Sequence, residues 1–246
     1  MTQPKAVPTW PGQRGVGLVE VMVGLTAGLV LIGALAYFLL GARQLDRTHD
    51  DVSRLQESGR MALEIMGKAI RQAGARRDVS VAFAGGALAA TDGTSGAPDT
   101  IIVRYDVQDG GEADCLGNTV TSGPVTYVFA VDQVNRTLTC TNAAGVGAPA
   151  PVVVMDNIED MQITYGIDSN HNGAIESYQT ATGLTSSQVT AVRVSLLARG
   201  PTPRVATGTQ KYRYNDDGTS TTTTTSNDGY LRQVYTATFT VRNQAK

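Results

Sequence analysis

The chain has 246 residues, 20 of them basic and 22 acidic, for a formal net charge of −2, with 27 glycines, nine prolines and two cysteines. That length holds one sizeable domain or two small ones. No basic stripe follows the chain, which argues against a nucleic-acid partner, and no CxxC pair or His/Cys cluster offers a zinc site.

The first feature in chain order is an apolar run. Val21 to Ala42 gives 22 residues without a charge, or about 33 Å of helix, enough to cross a bilayer core. Lys5 and Arg14 precede it and no acid does so before Glu20, which favours a cytoplasmic N-terminus. A removable secretory signal cut after Ala34-Leu35-Ala36 competes with a membrane span. Tyr37-Phe38-Leu39-Leu40 carries the run past that cut. Neither a removable signal nor a plain anchor accounts for a carboxylate at Glu20.

From Arg43 to Ala75 there is no proline, and Val52, Leu55, Gly59, Ala62, Met66, Ala69 and Ala73 recur at alternating steps of three and four. That spacing draws one stripe along an amphipathic helix. Lys68, Arg71, Arg76 and Arg77 crowd its end, and Gly74 is a natural stop. One helix from about Val16 to Ala73 would be close to 90 Å long. Its second half needs a surface to pack against.

After Arg77 the texture changes to turns and short β-branched runs. The strand candidates are Thr100–Val107, Val125–Val131, Arg136–Cys140, Val152–Met155, Met161–Ile167, Val189–Ala198 and Gln233–Val241. Val192, Val194 and Leu196 share one face, as do Tyr235, Ala237, Phe239 and Val241. Asp132-Gln133-Val134-Asn135 links two strands as a hairpin. An antiparallel sheet laid on the amphipathic helix gives an α+β architecture. Cys115 and Cys140 pair as a disulfide if this part lies in an oxidising space, and otherwise stay as two thiols. Residues 215–229 hold a threonine-rich tract between two turn signals, read as a solvated mobile loop.

Asp168-Ser169-Asn170-His171-Asn172-Gly173-Ala174-Ile175-Glu176 fits the first nine places of a calcium loop of the D-x-N-x-N-G type. Asp168, Asn170 and Asn172 would offer side-chain oxygens, Ala174 its carbonyl, and Glu176 a further oxygen. Gln179 stands where a bidentate glutamate is expected, so any calcium site would be weak. An Asx-rich turn without metal is the competing reading. No G-x-S-x-G, H-E-x-x-H or phosphate-cradling loop is present. His49 and His171 are isolated, and Asp50-Asp51 and Glu159-Asp160 read as solvated surface acids. Catalysis is not expected.

Gly15 followed by Val16-Gly17-Leu18-Val19-Glu20 and an uncharged span resembles the type IV pilin signature. Leu55 to Arg76, "LQESGRMALEIMGKAIRQAGAR", is similar to the helix end of PilW-like minor pilins, and "MQITYGIDSNHNGAIESY" and "VTAVRVSLLARG" resemble that subfamily too. The chain departs from the usual pattern in having Val16 where phenylalanine is commoner and Gly17 where a small hydroxyl residue is usual. It also lacks a proline between Pro11 and Pro98, which leaves Gly24, Gly28 and Gly33 as soft points of the helix.

The resemblance implies a division into a leader of residues 1–15, a membrane or filament-core half-helix over 16–42, an amphipathic half over 43–76, and a β-rich periplasmic or extracellular domain over 77–246. It implies prepilin peptidase cleavage between Gly15 and Val16, methylation of the new N-terminus at Val16, and an assembly role for Glu20. The implied location is the bacterial inner membrane before assembly and the pilus tip after it. The implied partners are other minor pilins, the major pilin and the inner-membrane assembly platform. A minor pseudopilin of type II secretion, or a membrane-anchored calcium-binding or adhesion module that never polymerises, are the alternatives.

Overall fold

The computed structural model describes residues 15, 17–77, 80, 82–94, 97–107, 111–115, 117–121, 123–143, 149–206, 208–214 and 223–243. The chain divides inside its first helix, with Met1–Asp46 as one compact unit and Arg47–Lys246 as the other. Helix α1 runs Leu18–Gln72 without a break.

In the first unit the described part of α1 is apolar all round from Val21 to Ala42, with Leu18, Leu31, Tyr37 and Phe38 all more than half exposed. The hydroxyl of Thr26 donates back to the carbonyls of Met22 and Val23 at 3.1 and 2.9 Å, so its polar group is satisfied inside the helix.

In the second unit the rest of α1 packs on β-structure. Leu55, Ala62, Leu63, Met66, Ala69, Ile70 and Ala73 are buried in one core with both large sheets. The helix ends where expected. Gly74 takes φ +77°, its N–H donates to the Arg104 carbonyl at 2.9 Å, and the Asn243 side-chain amide donates to the carbonyls of Gln72 and Ala73.

The strands are β1 (Leu88–Thr91), β2 (Thr100–Val107), β3 (Glu112–Ala113), β4 (Thr119–Val120), β5 (Gly123–Asp132), β6 (Thr137–Asn142), β7 (Val152–Asp156), β8 (Ile158–Ile167), β9 (Ser177–Gln179), β10 (Val189–Arg199), β11 (Gln210–Arg213), β12 (Thr223–Ser226) and β13 (Arg232–Thr240). One sheet has the order β1-β2-β5-β6-β7 and a second the order β13-β10-β8-β9, with β11-β12 and β3-β4 as small ladders. Every pairing is antiparallel.

The strand candidates read from the sequence all form, but they make two large sheets instead of one. The switch falls at Asn157, which adopts φ +62° between β7 and β8 and accepts a hydrogen bond from the Arg199 N–H at 2.9 Å. A left-handed residue turns the chain sharply, so β8 starts a new ladder beside β10. The Asp132–Asn135 hairpin forms, with Asp132 Oδ1 accepting from the N–H groups of Val134 and Asn135. Strand β10 is buried on both faces, because Ala191, Ser195 and Leu197 are covered as well as Val192, Val194 and Leu196. The threonine-rich tract departs from the loop expectation. Thr223–Ser226 is a strand paired with Gln210–Arg213, while residues 215–222 lie outside the described residues.

Candidate functional site

Gly15 and Gly17 sit just ahead of α1, Val16 lies outside the described residues, and Glu20 occupies the first helical turn. A carboxylate is favourable at that end of a helix, where backbone N–H groups point outward without intrahelical partners. Glu20 is the one charged side chain between Leu18 and Ala42. It is exposed, and so are the apolar residues after it. A helix so long and apolar is able to cross a bilayer.

Within the second unit, α1 is keyed to β13 through two glycines. A Cβ built on Gly59 would fall inside the ring of Tyr235, and one on Gly67 inside the ring of Phe239. Arg71 then lies over the Phe239 ring, 5.5 Å from its centroid. The sequence pattern marks Gly59 as a small stripe position and passes over Gly67. Asp51, read from the sequence as a solvated acid, is instead 1% exposed. Its carboxylate accepts from the Thr202 hydroxyl at 2.8 Å and the Thr202 N–H at 3.3 Å.

Cys115 and Cys140 are joined as a disulfide. Cys140 faces Phe129 across the β5–β6 ladder, so the bridge ties the segment after β3 to the first sheet. Tyr105 and Tyr127 meet edge to face beside it, and the Tyr105 hydroxyl donates to Glu112 at 3.3 Å. Burial, and then the neighbouring Tyr127 and Glu112, push the Tyr105 phenol up.

The Asp168 loop caps the β8–β9 hairpin, since Ile167 pairs with Ser177 and Tyr165 with Gln179. Asp168 is buried and accepts from the N–H groups of Asn172 at 3.0 Å and Gly173 at 2.8 Å. Asn170 Oδ1 accepts from the Asn172 N–H, and Asn172 Oδ1 from the Ala174 N–H. Glu176 accepts from the Ser169 N–H and the Asn170 amide, each at 2.8 Å. His171 adopts φ +58° and Gly173 φ +86°, so the turn is folded by its own Asx contacts. The loop brings Asp168, Asn170, Asn172 and Glu176 into one hydrogen-bonded set. Gln179 sits in a strand and closes no cage. Among the described residues no group of three His, Cys, Asp or Glu side chains gathers for a metal.

Two further carboxylates are withdrawn from solvent, Asp99 fully and Asp160 in part. Asp99 accepts from the Gly93 N–H at 2.8 Å and the Ile163 N–H at 2.7 Å, stitching the β1–β2 connection to β8. Burial pushes its carboxyl up to about 6, against the pull of those two N–H groups and with help from Asp92 and Asp160. Burial likewise raises Asp160, although Tyr214, Gln162 and the Met161 N–H stabilise its charged form. The sequence gives no cue for either, because the desolvating neighbours come from distant strands.

The family model "Type IV Pilus-assembly protein W" matches residues 125–243. No functionally curated protein matches the sequence. Among solved structures, a type IV-like pilin from Thermus thermophilus aligns over 80% of this chain and 98% of its own, with a TM-score of 0.50 and 18% identity. At that identity the likeness establishes the fold: a long N-terminal helix packed on antiparallel sheet.

Proposed function

We propose that this chain, a PilW-like type IV pilin, is a minor pilin that helps prime pilus assembly in a tip complex with other minor pilins. The observation that supports this reading best is the pairing of two features on one chain. The domain matching the pilus-assembly family lies downstream of a helix whose first 25 residues are apolar, uncovered and charged only at Glu20. In this reading prepilin peptidase cuts between Gly15 and Val16, and the new ammonium is methylated. The helix waits in the inner membrane with its N-terminus cytoplasmic, then moves into the filament core beside the major pilin. The work is structural, as the family and fold are. The experiment is a deletion strain, assayed for pili and for secreted protein. Loss of pili with secretion intact supports the proposal. Loss of secretion with pili intact makes the chain a pseudopilin, and loss of neither makes it a non-polymerising module.

The Asp168 loop supports a second, weaker proposal, a calcium ion held by Asp168, Asn170, Asn172, the Ala174 carbonyl and Glu176. The donor spacing and the inward turn of Asp168 favour it, and two carboxylates set the affinity at roughly 10⁻⁴–10⁻³ M. Millimolar calcium should raise the melting temperature of the wild type and leave that of Asn170→Ala where it was. Equal responses in the two proteins would remove calcium from the account.

A further inference from the structure

Asparagine is among the chemically labile side chains, because its carboxamide can be attacked by the next peptide nitrogen. A following glycine leaves that nitrogen unshielded, since it has no Cβ. Asn172-Gly173 is the one Asn-Gly pair in the sequence. Both residues are exposed in the β8–β9 loop. Gly173 holds φ +86°, and a Cβ built on it would meet nothing within 4 Å.

The contacts of the pair favour reaction with itself. The Gly173 N–H donates to Asp168 Oδ2 at 2.8 Å, so a buried carboxylate lies against the proton of the attacking nitrogen. The Ala174 N–H donates to Asn172 Oδ1 at 2.8 Å, which polarises the side-chain carbonyl and stabilises negative charge growing on that oxygen. Asn172 Nδ2 makes no hydrogen bond among the described residues, so nothing in the loop holds the leaving nitrogen. Two other exposed asparagines are arranged differently. The Asn170 amide donates to Glu176 at 2.8 Å and the Asn135 amide to Asp132 at 2.7 Å, so their nitrogens are held. His171 and Arg136 follow them, each with a side chain beside the peptide nitrogen.

We propose that Asn172 is a site of self-deamidation, converted to aspartate and isoaspartate with water as the co-reactant. Gly173 N bonds to Asn172 Cγ while its proton passes along the hydrogen bond to Asp168 Oδ2. The tetrahedral centre expels Nδ2, which takes that proton and leaves as ammonia, and a cyclic imide remains. Water then opens the ring. Addition at Cγ breaks the new bond and gives aspartate. Addition at the backbone carbonyl breaks the original peptide bond and routes the chain through Cβ and Cγ, giving isoaspartate. Holding nucleophile, proton acceptor and carbonyl together in the folded loop replaces the search that a free chain would make. Either product sets a third carboxylate beside Asp168 and Glu176, and isoaspartate also lengthens the loop by a methylene. The loop becomes more acidic as the folded protein ages.

The full chain in detergent micelles and a synthetic peptide of residues 166–178 would be incubated side by side in heavy-oxygen water at mildly alkaline pH. A calcium chelator keeps metal off Asp168 throughout, so the result does not depend on the calcium proposal. Peptide mapping by mass spectrometry reads acid formed at each asparagine, and labelling by isoaspartyl methyltransferase reads isoaspartate. Asn172 should convert in the folded chain at least as fast as in the peptide, and ahead of Asn170 and Asn135. Asp168→Asn, nearly the same shape without the charge, should slow the folded chain several-fold and leave the peptide rate unchanged. Slower conversion in the folded chain than in the peptide overturns the proposal. So does conversion of Asn170 or Asn135 ahead of Asn172, or a folded Asp168→Asn protein that converts at the wild-type rate. Should Asp168→Asn fail to fold, the wild-type comparison with the peptide decides alone.

Discussion

Helix α1 carries two carboxylates that meet opposite conditions. Glu20 lies in the first unit, exposed, as the one charge between Leu18 and Ala42 on a helix apolar on every side. Asp51 lies in the second unit, 1% exposed, with the Thr202 hydroxyl and N–H as partners. The glycines repeat the contrast. Gly24, Gly28, Gly33 and Gly41 have nothing within 4 Å of where a Cβ would stand, whereas Gly59 and Gly67 are filled by the rings of Tyr235 and Phe239. One helix therefore has a half packed by its own domain and a half whose apolar residues are exposed. A polar or small residue in the packed half is explained by contacts with the sheets, and in the other half only by the helix itself or, in the proposed reading, by assembly.

The sharpest way to break that contrast is a glycine scan. Gly67→Ala should destabilise the second unit by about 3 kcal/mol, and Gly59→Ala by about as much, because each methyl must displace an aromatic ring from a packed core. Gly24→Ala and Gly28→Ala should leave its denaturation midpoint unchanged, since both add only helix propensity in open space. Chemical denaturation followed by near-ultraviolet circular dichroism reads both. Equal effects in the two halves would erase the distinction.

Asp99 extends the comparison to a buried carboxylate held by two backbone N–H groups. Its folded pKa of about 6 lies above the ordinary value of 3.8, so between those values the folded state binds more protons than the unfolded one. Stability from this group is then full below about pH 4 and is lost as pH rises through about 6, a decline of up to about 3 kcal/mol. Asp99→Leu, if it folds, should flatten that part of the stability profile; an unaltered slope would show that other groups carry it. Asp51 is the next step down. Asp51→Ala leaves Thr202 without its acceptor and should cost about 2 kcal/mol, with Asp51→Asn losing less.

Several of these features were legible in the residues and several were not. The three-four spacing from Leu55 to Ala73 gave the buried face of α1, and β-branched runs gave the long strands, because both signals are local. Gly67 and Asp51 were missed for the same reason: what fills the glycine and what bonds the acid come from β13 and the Gly200–Thr202 turn, far along the chain. The short strands β1, β9 and β12 form by pairing with remote partners and have little signal of their own. Glu159-Asp160 reads as a surface pair, yet a bulge in the β8–β10 register falls at Glu159, which is ion-paired with Arg199 and Arg232. Of the candidate sites, the cysteine pair forms as one of the two readings required, and the Asp168 loop closes on its own donors. The meaning of Gly15, Val16 and Glu20 came from resemblance to the pilin signature.

The smallest effect on stability should come from the residue with the largest proposed effect on assembly. Glu20→Ala changes an exposed residue of the first unit, so the thermal midpoint of the second unit should move by less than about 0.5 kcal/mol equivalent. In an apolar filament core the same carboxylate needs a cation to offset its desolvation, and the proposed partner is the methylated ammonium that cleavage creates at Val16 of a neighbouring subunit. An unpaired charge there would cost several kcal/mol, enough to reject a misplaced subunit. Glu20→Ala should thus be cleaved and membrane-inserted yet fail to enter pili, while Glu20→Gln, which is neutral but still polar, should fail in the same way. Both would be scored by immunodetection in sheared filaments against total protein. Asp51→Ala is the matched control: a loss of stability with the Glu20 head intact should lower the amount of folded subunit without changing the fraction of folded subunits that assemble. If Glu20→Ala enters filaments in the wild-type proportion, the helix head is an anchor alone and the register role fails.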